Sequence, residues 1–283
     1  MLKEYFKKFT FGLVGFFALI GVLFSFVFVG MQFDILKVRG SIKDRNKFFT
    51  NDKDTGAQTL LCTPTRYHAC EWNSTSEWGV VKSGLTKDAE KILLVSKQTG
   101  VSSRMIASVV VPEQIRYFTA ERESFKKIFE PLKILSSLSK FSLGISGIKQ
   151  ETADLIERYA RSPESEFYPG DGISELISYS DNEDHDTALY NRLTDKNDHY
   201  YQYLYTAIFI KEISAQWAKH GYDISQSPEV VVTLFNLGFK SSEPNSTPVV
   251  GGSTITLGGE NYTYGRLGSI FYRSTELSDI FPI

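Results

Sequence analysis

The longest apolar run of the chain lies near its amino terminus. Residues 11–31 carry no charged side chain and are rich in Phe, Val, Leu and Gly. A helix rises about 1.5 Å per residue, so about 20 apolar residues cross the core of a bilayer. A cleaved signal peptide would have small residues three and one positions before the cut, and a buried soluble helix would have a polar face. The pattern therefore favours one transmembrane helix at 11–31, behind a cytoplasmic tail at 1–10.

The next stretch is polar and has no sustained period. Gly, Asn, Asp, Thr and Ser punctuate residues 32–85, which predicts a linker and an irregular subdomain, so regular structure is expected from about Thr86. Beyond it, apolar residues at helical spacing predict a series of helices. These are a helix from Ala89 that ends at Gly100, one from Ser102 or Ser103 that Pro112 interrupts, one at 115–129, one at Gln150–Tyr159, a long one from Thr187 or Tyr200 to Lys219, and a short one from Pro228 to Leu234.

The carboxy-terminal part has a different pattern. Two glycine pairs, Gly251-Gly252 and Gly258-Gly259, flank a Thr-containing segment, which predicts a hairpin followed by a short helix near Leu267. The predicted fold class is therefore mainly α with a small β excursion, in one domain at 86–283 behind the transmembrane helix. The part from Gln32 onward is long enough for one sizeable domain.

Charge and aromatic content narrow the expected partners. The net charge is −2, so no attraction to nucleic acid is expected. Aromatic residues make up 14% of the chain. A cluster of tyrosines either lines a carbohydrate groove or packs as ordinary core and rim residues. This cluster consists of Tyr200, Tyr201, Tyr203 and Tyr205.

Two cysteines bear on the orientation in the membrane. Cys62 and Cys70 are close together in a polar segment, which suits a disulfide in an oxidising compartment, although two free thiols are the alternative. Lys and Arg flank both sides of the apolar run, so their count does not decide the orientation. Long domains translocate largely regardless of charge. We therefore expect the carboxy-terminal domain outside the cytoplasm.

An acidic segment offers the one candidate for a cation site. Asp181, Glu183, Asp184, His185 and Asp186 form a charge cluster whose oxygens suit a divalent cation. Because the spacing of a calcium loop is absent, a solvated acidic loop is the favoured interpretation. No zinc or haem spacing occurs either, so we expect neither a metal site nor a cofactor.

Three segments carry a family resemblance in their order along the chain. They are Thr99–Glu113 (TGVSSRMIASVVVPE), Ser142–Ala153 (SLGISGIKQETA) and Val232–Gly238 (VTLFNLG). Together they resemble the lysozyme-like lytic transglycosylases of bacterial cell walls, over about residues 86–240. In that family a Gly-Val turn opens an apolar helix that ends in the catalytic Glu. A Gly-rich segment leading into a Thr-Ala helix and a Tyr-Asn-x-Gly turn follow.

The resemblance implies a fold, a reaction and a location. It implies a lysozyme-like domain in which Glu113 is a single acid/base catalyst, with no metal or cofactor. Glu113 would protonate the oxygen between N-acetylmuramic acid and N-acetylglucosamine, and the 6-hydroxyl of the sugar would then close a 1,6-anhydro ring. The expected substrate is the peptidoglycan strand, and the expected location is the bacterial inner membrane with the domain in the periplasm. The residues expected along the substrate are Gly144, Gly147, Ile148, Tyr203, Tyr205, Phe235 and Asn236.

The residues around Glu113 support the same role by a physical argument. A carboxyl that follows an apolar helix loses solvation, which raises its pKa toward that of a general acid. Pro112 is expected to bend the helix just before Glu113. The alternative is a surface glutamate after a kink. Other carboxylates rank lower because they suit ion pairs or a helix dipole. They are Glu121, Glu123, Glu151 and Asp154.

The chain departs from the family pattern at two positions. Gly147 stands where the family usually has Gln, and Phe235 stands where it has Tyr. The stretch from Glu113 to Gly144 is also longer than usual. We hypothesise that Tyr203 or Tyr205 supplies the hydroxyl that Phe235 lacks.

Three functions are therefore open at the level of the sequence. The first is a membrane-anchored lytic transglycosylase. The second is a catalytically silent protein of the same fold that binds glycan strands. The third is an envelope assembly factor whose helical domain contacts other membrane proteins.

Overall fold

The computed structural model describes residues 71–119, 144–180 and 182–283. This part of the chain contains nine α-helices and one two-stranded antiparallel sheet, so the prediction of a mainly α fold with a small β excursion is confirmed. The elements are α1 (Ser76–Lys87), α2 (Ala89–Thr99), α3 (Ser103–Thr119), α4 (Gln150–Ala160), α5 (Ile173–Leu176), α6 (His185–Thr194), α7 (Tyr200–Lys219), α8 (Pro228–Leu237), β1 (Thr254–Leu257), β2 (Glu260–Thr263) and α9 (Tyr264–Arg273). Short 3-10 turns lie at Trp72–Ser74 and Phe239–Ser241.

The tail, the transmembrane helix, Cys62 and Cys70 lie outside the described residues. Within the residues that are described, no helix has both the length and the apolar character needed to span a bilayer.

Two helices, α3 and α7, form the centre of the domain. Every residue of α3 from Ser103 to Ile115 is buried, and so is every residue of α7 from Gln202 to Ile210. A helix that is buried all round needs neighbours on every side. Helix α3 contacts α1, α2, α7, α8, α9 and β1, and α7 contacts α2, α3, α4, α6 and α8.

Regular structure begins earlier than the sequence indicated. The expectation of irregular structure up to residue 85 is wrong for its last part, because α1 occupies 76–87. The side chains of Trp78, Val81 and Leu85 are buried at helical spacing, and the Thr75 hydroxyl caps the helix by accepting from the Trp78 N–H at 3.3 Å. Trp72 packs edge-on against Trp78, with 4.8 Å between ring centroids.

Pro112 does not interrupt α3, contrary to the prediction. The helix continues through it to Thr119. Proline lacks the N–H that would bind the carbonyl of Ser108, four residues earlier. Gly268 of α9 lies against that carbonyl so closely that a Cβ there would be 2.5 Å from the oxygen. Helix α9 therefore packs directly over the carbonyl that Pro112 leaves without its helical partner.

The hairpin and α9 are present where the sequence predicted them. Strand β1 pairs with β2, with Thr254 opposite Thr263 and Leu257 opposite Glu260. Gly258 and Gly259 form the turn with φ of 61° and 90°, which suits a tight hairpin turn. Thr263 caps α9 by accepting from the Arg266 N–H at 3.3 Å.

Arg104 joins α3 to the chain that follows α9. Its guanidinium is fully buried and 4.4 Å from the ring centroid of Phe271. Burial lowers its pKa. It donates hydrogen bonds to five backbone carbonyls, which satisfy its charge without a buried carboxylate partner in contact. These carbonyls belong to Phe271, Tyr272, Ser274, Glu276 and Phe281.

Candidate functional site

Glu113 lies within α3, with only 6% of its surface exposed. The burial expected from the apolar residues before it is therefore confirmed. It is not at the end of the helix, because α3 continues to Thr119 and places Arg116 one turn beyond it. The Arg116 Nη2 lies 2.7 Å from Glu113 Oε1. This charge-assisted hydrogen bond compensates for the solvent that the carboxylate has lost.

A glycine turn covers the Glu113 carboxylate. Gly147 has φ of +64°, and a Cβ on it would collide with Glu113 Oε1 and lie 3.0 Å from Cγ. Gly144 has φ of +65° and lies against the Leu193 carbonyl and the Gln202 side chain. Only glycine combines the left-handed backbone with the close approach. The glycine that departs from the family pattern is therefore in direct contact with the candidate acid.

Two glutamines hold the turn in place. The Gln114 side-chain amide donates to the Ile145 carbonyl. The Ile145 N–H donates to Gln202 Oε1 at 2.7 Å, and the Ser146 hydroxyl donates to the Gln202 carbonyl at 3.1 Å. Ile145 and Ile148 are both buried. The turn is thus bonded to α3 on one side and to α7 on the other.

Asn236 reaches the site through an intermediate serine. Its Oδ1 accepts from the Ser253 N–H at 2.8 Å and from the Ser253 hydroxyl at 3.1 Å. The Ser253 Oγ in turn accepts from Arg116 Nη1 at 3.4 Å. Asn236, Ser253, Arg116 and Glu113 therefore form one chain of hydrogen bonds. The sequence indicated its two ends, but it did not indicate Ser253 or Arg116.

The tyrosine hydroxyl near Glu113 comes from Tyr264, which the sequence did not single out. Tyr264 is fully buried at the start of α9, and its hydroxyl donates to the Val109 carbonyl at 3.1 Å. Burial raises its pKa well above the ordinary value, and the charge of Glu113 raises it further. The Arg116 guanidinium lies 5.8 Å from the Tyr264 ring centroid. No motif marked this residue, since it follows a hairpin of ordinary composition.

Tyr203 and Tyr205 have other partners. Both are fully buried in α7. The Tyr203 hydroxyl donates to Asp88 Oδ2 at 2.9 Å, and the Tyr205 hydroxyl donates to Glu157 Oε1. The hypothesis that one of them supplies a hydroxyl to Glu113 is therefore wrong, and their burial leaves them no surface for a glycan. Phe235 is half-buried and packs on Phe209, with 4.9 Å between ring centroids.

A second polar cluster surrounds Glu157 of α4. This carboxylate is 2% exposed and accepts from the hydroxyls of Tyr179 and Tyr205. His185 Nε2 lies 3.0 Å from its Oε2, and Arg161 Nη1 lies 3.1 Å from the same atom. Burial raises the pKa of Glu157, but these hydrogen bonds outweigh burial and the net shift is downward. Part of the acidic segment thus belongs to a structural network that joins α4 to α6.

The other carboxylates that the sequence offered lie at exposed positions, near Glu157, or outside the described residues. Glu151 is exposed at the start of α4, and burial raises the pKa of Asp154 nearby. Glu121, Glu123 and Asp181 lie outside the described residues. Among the residues that the structure does describe, no group of three or more His, Cys, Asp or Glu side chains is arranged to hold a metal ion.

The fold and site define a mainly helical domain in which a buried carboxylate, paired with a partly exposed guanidinium, lies beneath a glycine turn. Comparison of the chain with protein-family models, with curated proteins and with solved structures finds no match.

Proposed function

We propose that the protein is a membrane-anchored lytic transglycosylase of peptidoglycan, with Glu113 as its single acid/base catalyst. One observation carries the proposal. Three sequence segments that are far apart in the chain meet at Glu113, since Gly147 lies on its carboxylate and Asn236 is joined to it through Ser253 and Arg116. A cluster of this kind, with a buried carboxyl at its centre, is typical of an active site.

The proposed reaction needs one proton carrier. Protonated Glu113 donates to the glycosidic oxygen, and the bond from that oxygen to C1 of N-acetylmuramic acid breaks. The leaving N-acetylglucosamine keeps the proton as its 4-hydroxyl. Glu113, now ionised, takes the proton of the muramic 6-hydroxyl, whose oxygen bonds to C1 and closes the anhydro ring. Arg116 stabilises the ionised form in this second half, and neither water nor a second carboxylate takes part.

The proposed location follows from the substrate. We propose that residues 11–31 anchor the chain in the bacterial inner membrane and that the domain at 86–283 is in the periplasm, where peptidoglycan lies. Protease added to spheroplasts should then degrade the domain, while intact cells should protect it. Degradation only after lysis of the spheroplasts would reverse the orientation.

The activity is tested by digestion of purified peptidoglycan with the full chain in detergent. Mass spectrometry should detect 1,6-anhydro muropeptides. The Glu113→Gln variant should lose about 10²- to 10⁴-fold in rate, the usual contribution of a general acid. Glu151→Gln, at an exposed position on α4, is the matched control and should keep the rate. Undiminished cleavage by Glu113→Gln would rule out the proposed acid.

A second function is favoured by one specific contact. The ion pair between Glu113 and Arg116 stabilises the carboxylate, whereas proton donation needs the neutral acid. A protein that keeps this pair when glycan is bound would bind strands without cleaving them. It would sediment with sacculi but release no anhydro products, and Glu113→Gln would leave sedimentation unchanged.

A further inference from the structure

Helix α3 lacks one backbone hydrogen bond at the turn that carries Glu113. Pro112 has no N–H, so the Ser108 carbonyl has no helical partner. The next hydrogen bond along the helix joins the Glu113 N–H to the Val109 carbonyl, four residues earlier. The backbone position of Glu113 therefore depends on the Val109 carbonyl more than it would in an uninterrupted helix.

Helix α9 contacts both of these carbonyls from one face. The Tyr264 hydroxyl donates to the Val109 carbonyl at 3.1 Å. One turn later, Gly268 lies over the Ser108 carbonyl, where a Cβ would be 2.5 Å from the oxygen. Residues four apart lie on the same face of a helix. A carbonyl oxygen has two lone pairs, so Val109 can accept from Tyr264 and from Glu113 together.

Tyr264 is itself held in place by the loop before β1. The residue is fully buried, and its backbone N–H donates to the Ser253 carbonyl at 2.9 Å. A Cβ on Gly252 would lie 3.1 Å from the Tyr264 Cβ. Ser253 in turn donates to Asn236, so the same loop joins Tyr264 to the third of the three motif segments. A donor that is fixed in this way determines where its acceptor lies.

Tyr264 is a neutral donor at this position. Burial is the largest cause of its raised pKa, and the charge of Glu113 raises that pKa further. The Arg116 guanidinium, 5.8 Å from the Tyr264 ring centroid, acts on the pKa in the opposite direction. A neutral hydroxyl donates a hydrogen bond and adds no charge beside the carboxyl. Tyr264 therefore acts on Glu113 through position.

We propose that Tyr264 is the positioning residue of Glu113, because its hydroxyl fixes the Val109 carbonyl to which the Glu113 backbone is bonded. The inference rests on the function proposed above and deepens it, since the positioned carboxyl is the acid of that reaction. Tyr264 touches no substrate in this role. Displacement of a reacting group by about 1 Å costs about 100-fold in rate, so the backbone contact bears directly on catalysis.

Tyr264→Phe removes the hydroxyl and keeps the ring that fills the core. The Val109 carbonyl retains the Glu113 N–H, so no buried backbone group loses its last partner and the variant should fold. With the full chain in detergent and soluble peptidoglycan strands of one length, kcat should fall about ten- to hundred-fold while KM is unchanged. Tyr262→Phe makes the same substitution on β2 and should keep both constants.

A double substitution tests whether the effect passes through Glu113. In the Glu113→Gln protein, Tyr264→Phe should cause no further loss of rate, because residues that act as a unit are not additive. A further loss as large as that in wild type would show an effect independent of Glu113 and would overturn the inference.

Hydrogen exchange read by mass spectrometry tests the positioning without a substrate. Tyr264→Phe should exchange faster than wild type in the α3 fragment around Glu113 and at the wild-type rate in fragments of α2 and α4. Uniformly faster exchange would mean that the hydroxyl stabilises the domain as a whole. That result, or unchanged exchange around Glu113, counts against the inference.

The outcomes separate the inference from the function on which it rests. Undiminished kcat, a loss carried by KM, or an unfolded Tyr264→Phe protein overturns the inference and leaves the proposed cleavage standing. Absence of anhydro products from wild type overturns the proposed cleavage. Faster exchange confined to the α3 fragment would then still establish Tyr264 as the residue that positions Glu113.

Discussion

Gly147 is the residue whose replacement is most constrained at the site. Its φ of +64° costs a residue with a side chain roughly 1–2 kcal/mol. A Cβ would also meet the Glu113 carboxylate, so either the turn or the carboxylate would have to move. The strained turn and the steric contact would both disturb Glu113, which is the residue that the proposed reaction needs.

Substitution of Gly147 by alanine is therefore expected to reduce both stability and activity. Backbone strain and overpacking together should lower the free energy of unfolding by about 2–5 kcal/mol, and cleavage should fall at least ten-fold. Thermal unfolding by circular dichroism and the peptidoglycan digest are the two measurements. Gly221→Ala is the control, since Gly221 has φ of +84° with open space around it. A variant at Gly147 that keeps full activity would contradict the contact.

Glu212 is a buried carboxyl of a different kind. It is fully buried in α7, and its oxygens have no hydrogen-bond partner among the described residues. Burial raises its pKa well above the ordinary value. Burial therefore favours the neutral acid at this position, which is separate from the Glu113 site.

This carboxyl makes stability depend on pH with a definite sign. Between the unfolded pKa of about 4.3 and the raised pKa of the folded state, the unfolded chain has lost the Glu212 proton and the folded chain has kept it. The free energy of unfolding then falls as pH rises, by up to about 1.4 kcal/mol per unit. Denaturant unfolding over a pH series that starts near the unfolded pKa of about 4.3 should show Glu212→Gln becoming more stable relative to wild type as pH rises. Glu243→Gln, at an exposed position, should not, and parallel pH curves for wild type and Glu212→Gln would refute the assignment.

At the scale of elements, α9 makes an unusually close contact with its neighbours. Two glycines of this helix face them, where side chains would collide. A Cβ on Gly265 would be 2.7 Å from the Glu229 carbonyl of α8, and one on Gly268 would be 2.5 Å from the Ser108 carbonyl of α3. These glycines let α9 lie between α8 and α3.

Gly268→Ala tests this packing by the sign of its effect. Alanine in a helix interior normally stabilises by about 1 kcal/mol relative to glycine. Here the added methyl should separate α9 from α3 and lower the free energy of unfolding by about 1–3 kcal/mol. Thermal unfolding provides the measurement, with Gly251→Ala as control because nothing lies within 4 Å of a Cβ there. A stabilised Gly268→Ala protein would show that the helices are not in contact.

The elements also show what sequence could predict. Periodicity, helix caps and glycine pairs are local signals in the sequence. They predict α2, α4, α8, the hairpin and α9. Helix α1 was missed because Gly and Ser residues interrupt its apolar spacing. The continuation of α3 through Pro112 was missed because proline normally ends or kinks a helix. Arg116 was missed for the same reason, since its position one turn after Glu113 follows only if the helix continues. Tyr203 and Tyr205 were misplaced because α7 is buried on every side.

At the scale of the whole molecule, Arg104 connects the centre of the domain to residues 271–281. Its five carbonyl partners need the planar fork with its several donors, which lysine lacks. The interaction fixes the segment after α9 over the start of α3. The cover on α3 is therefore complete only when this segment is in place.

Arg104→Lys is expected to release the segment while the charge remains. Removal of the fork from a buried charge should lower the free energy of unfolding by about 3–5 kcal/mol. Limited proteolysis with mass spectrometry should find new cleavage between residues 274 and 283. Arg273→Lys is the control, because Arg273 is exposed and pairs with Glu229 at 2.8 Å. Unchanged protease resistance in Arg104→Lys would mean that the carbonyl contacts do not hold the segment.

The contact between Arg104 and Phe281 can form only after the ribosome has made both residues, so it implies a delay during synthesis. The two residues are 177 positions apart. At about 5–20 residues per second, a ribosome needs roughly 10–35 s to make the chain between them. For that interval the apolar surface of α3 has been made but its final cover has not. The nascent chain therefore spends this time open to aggregation, and a holding chaperone would act best in the same window.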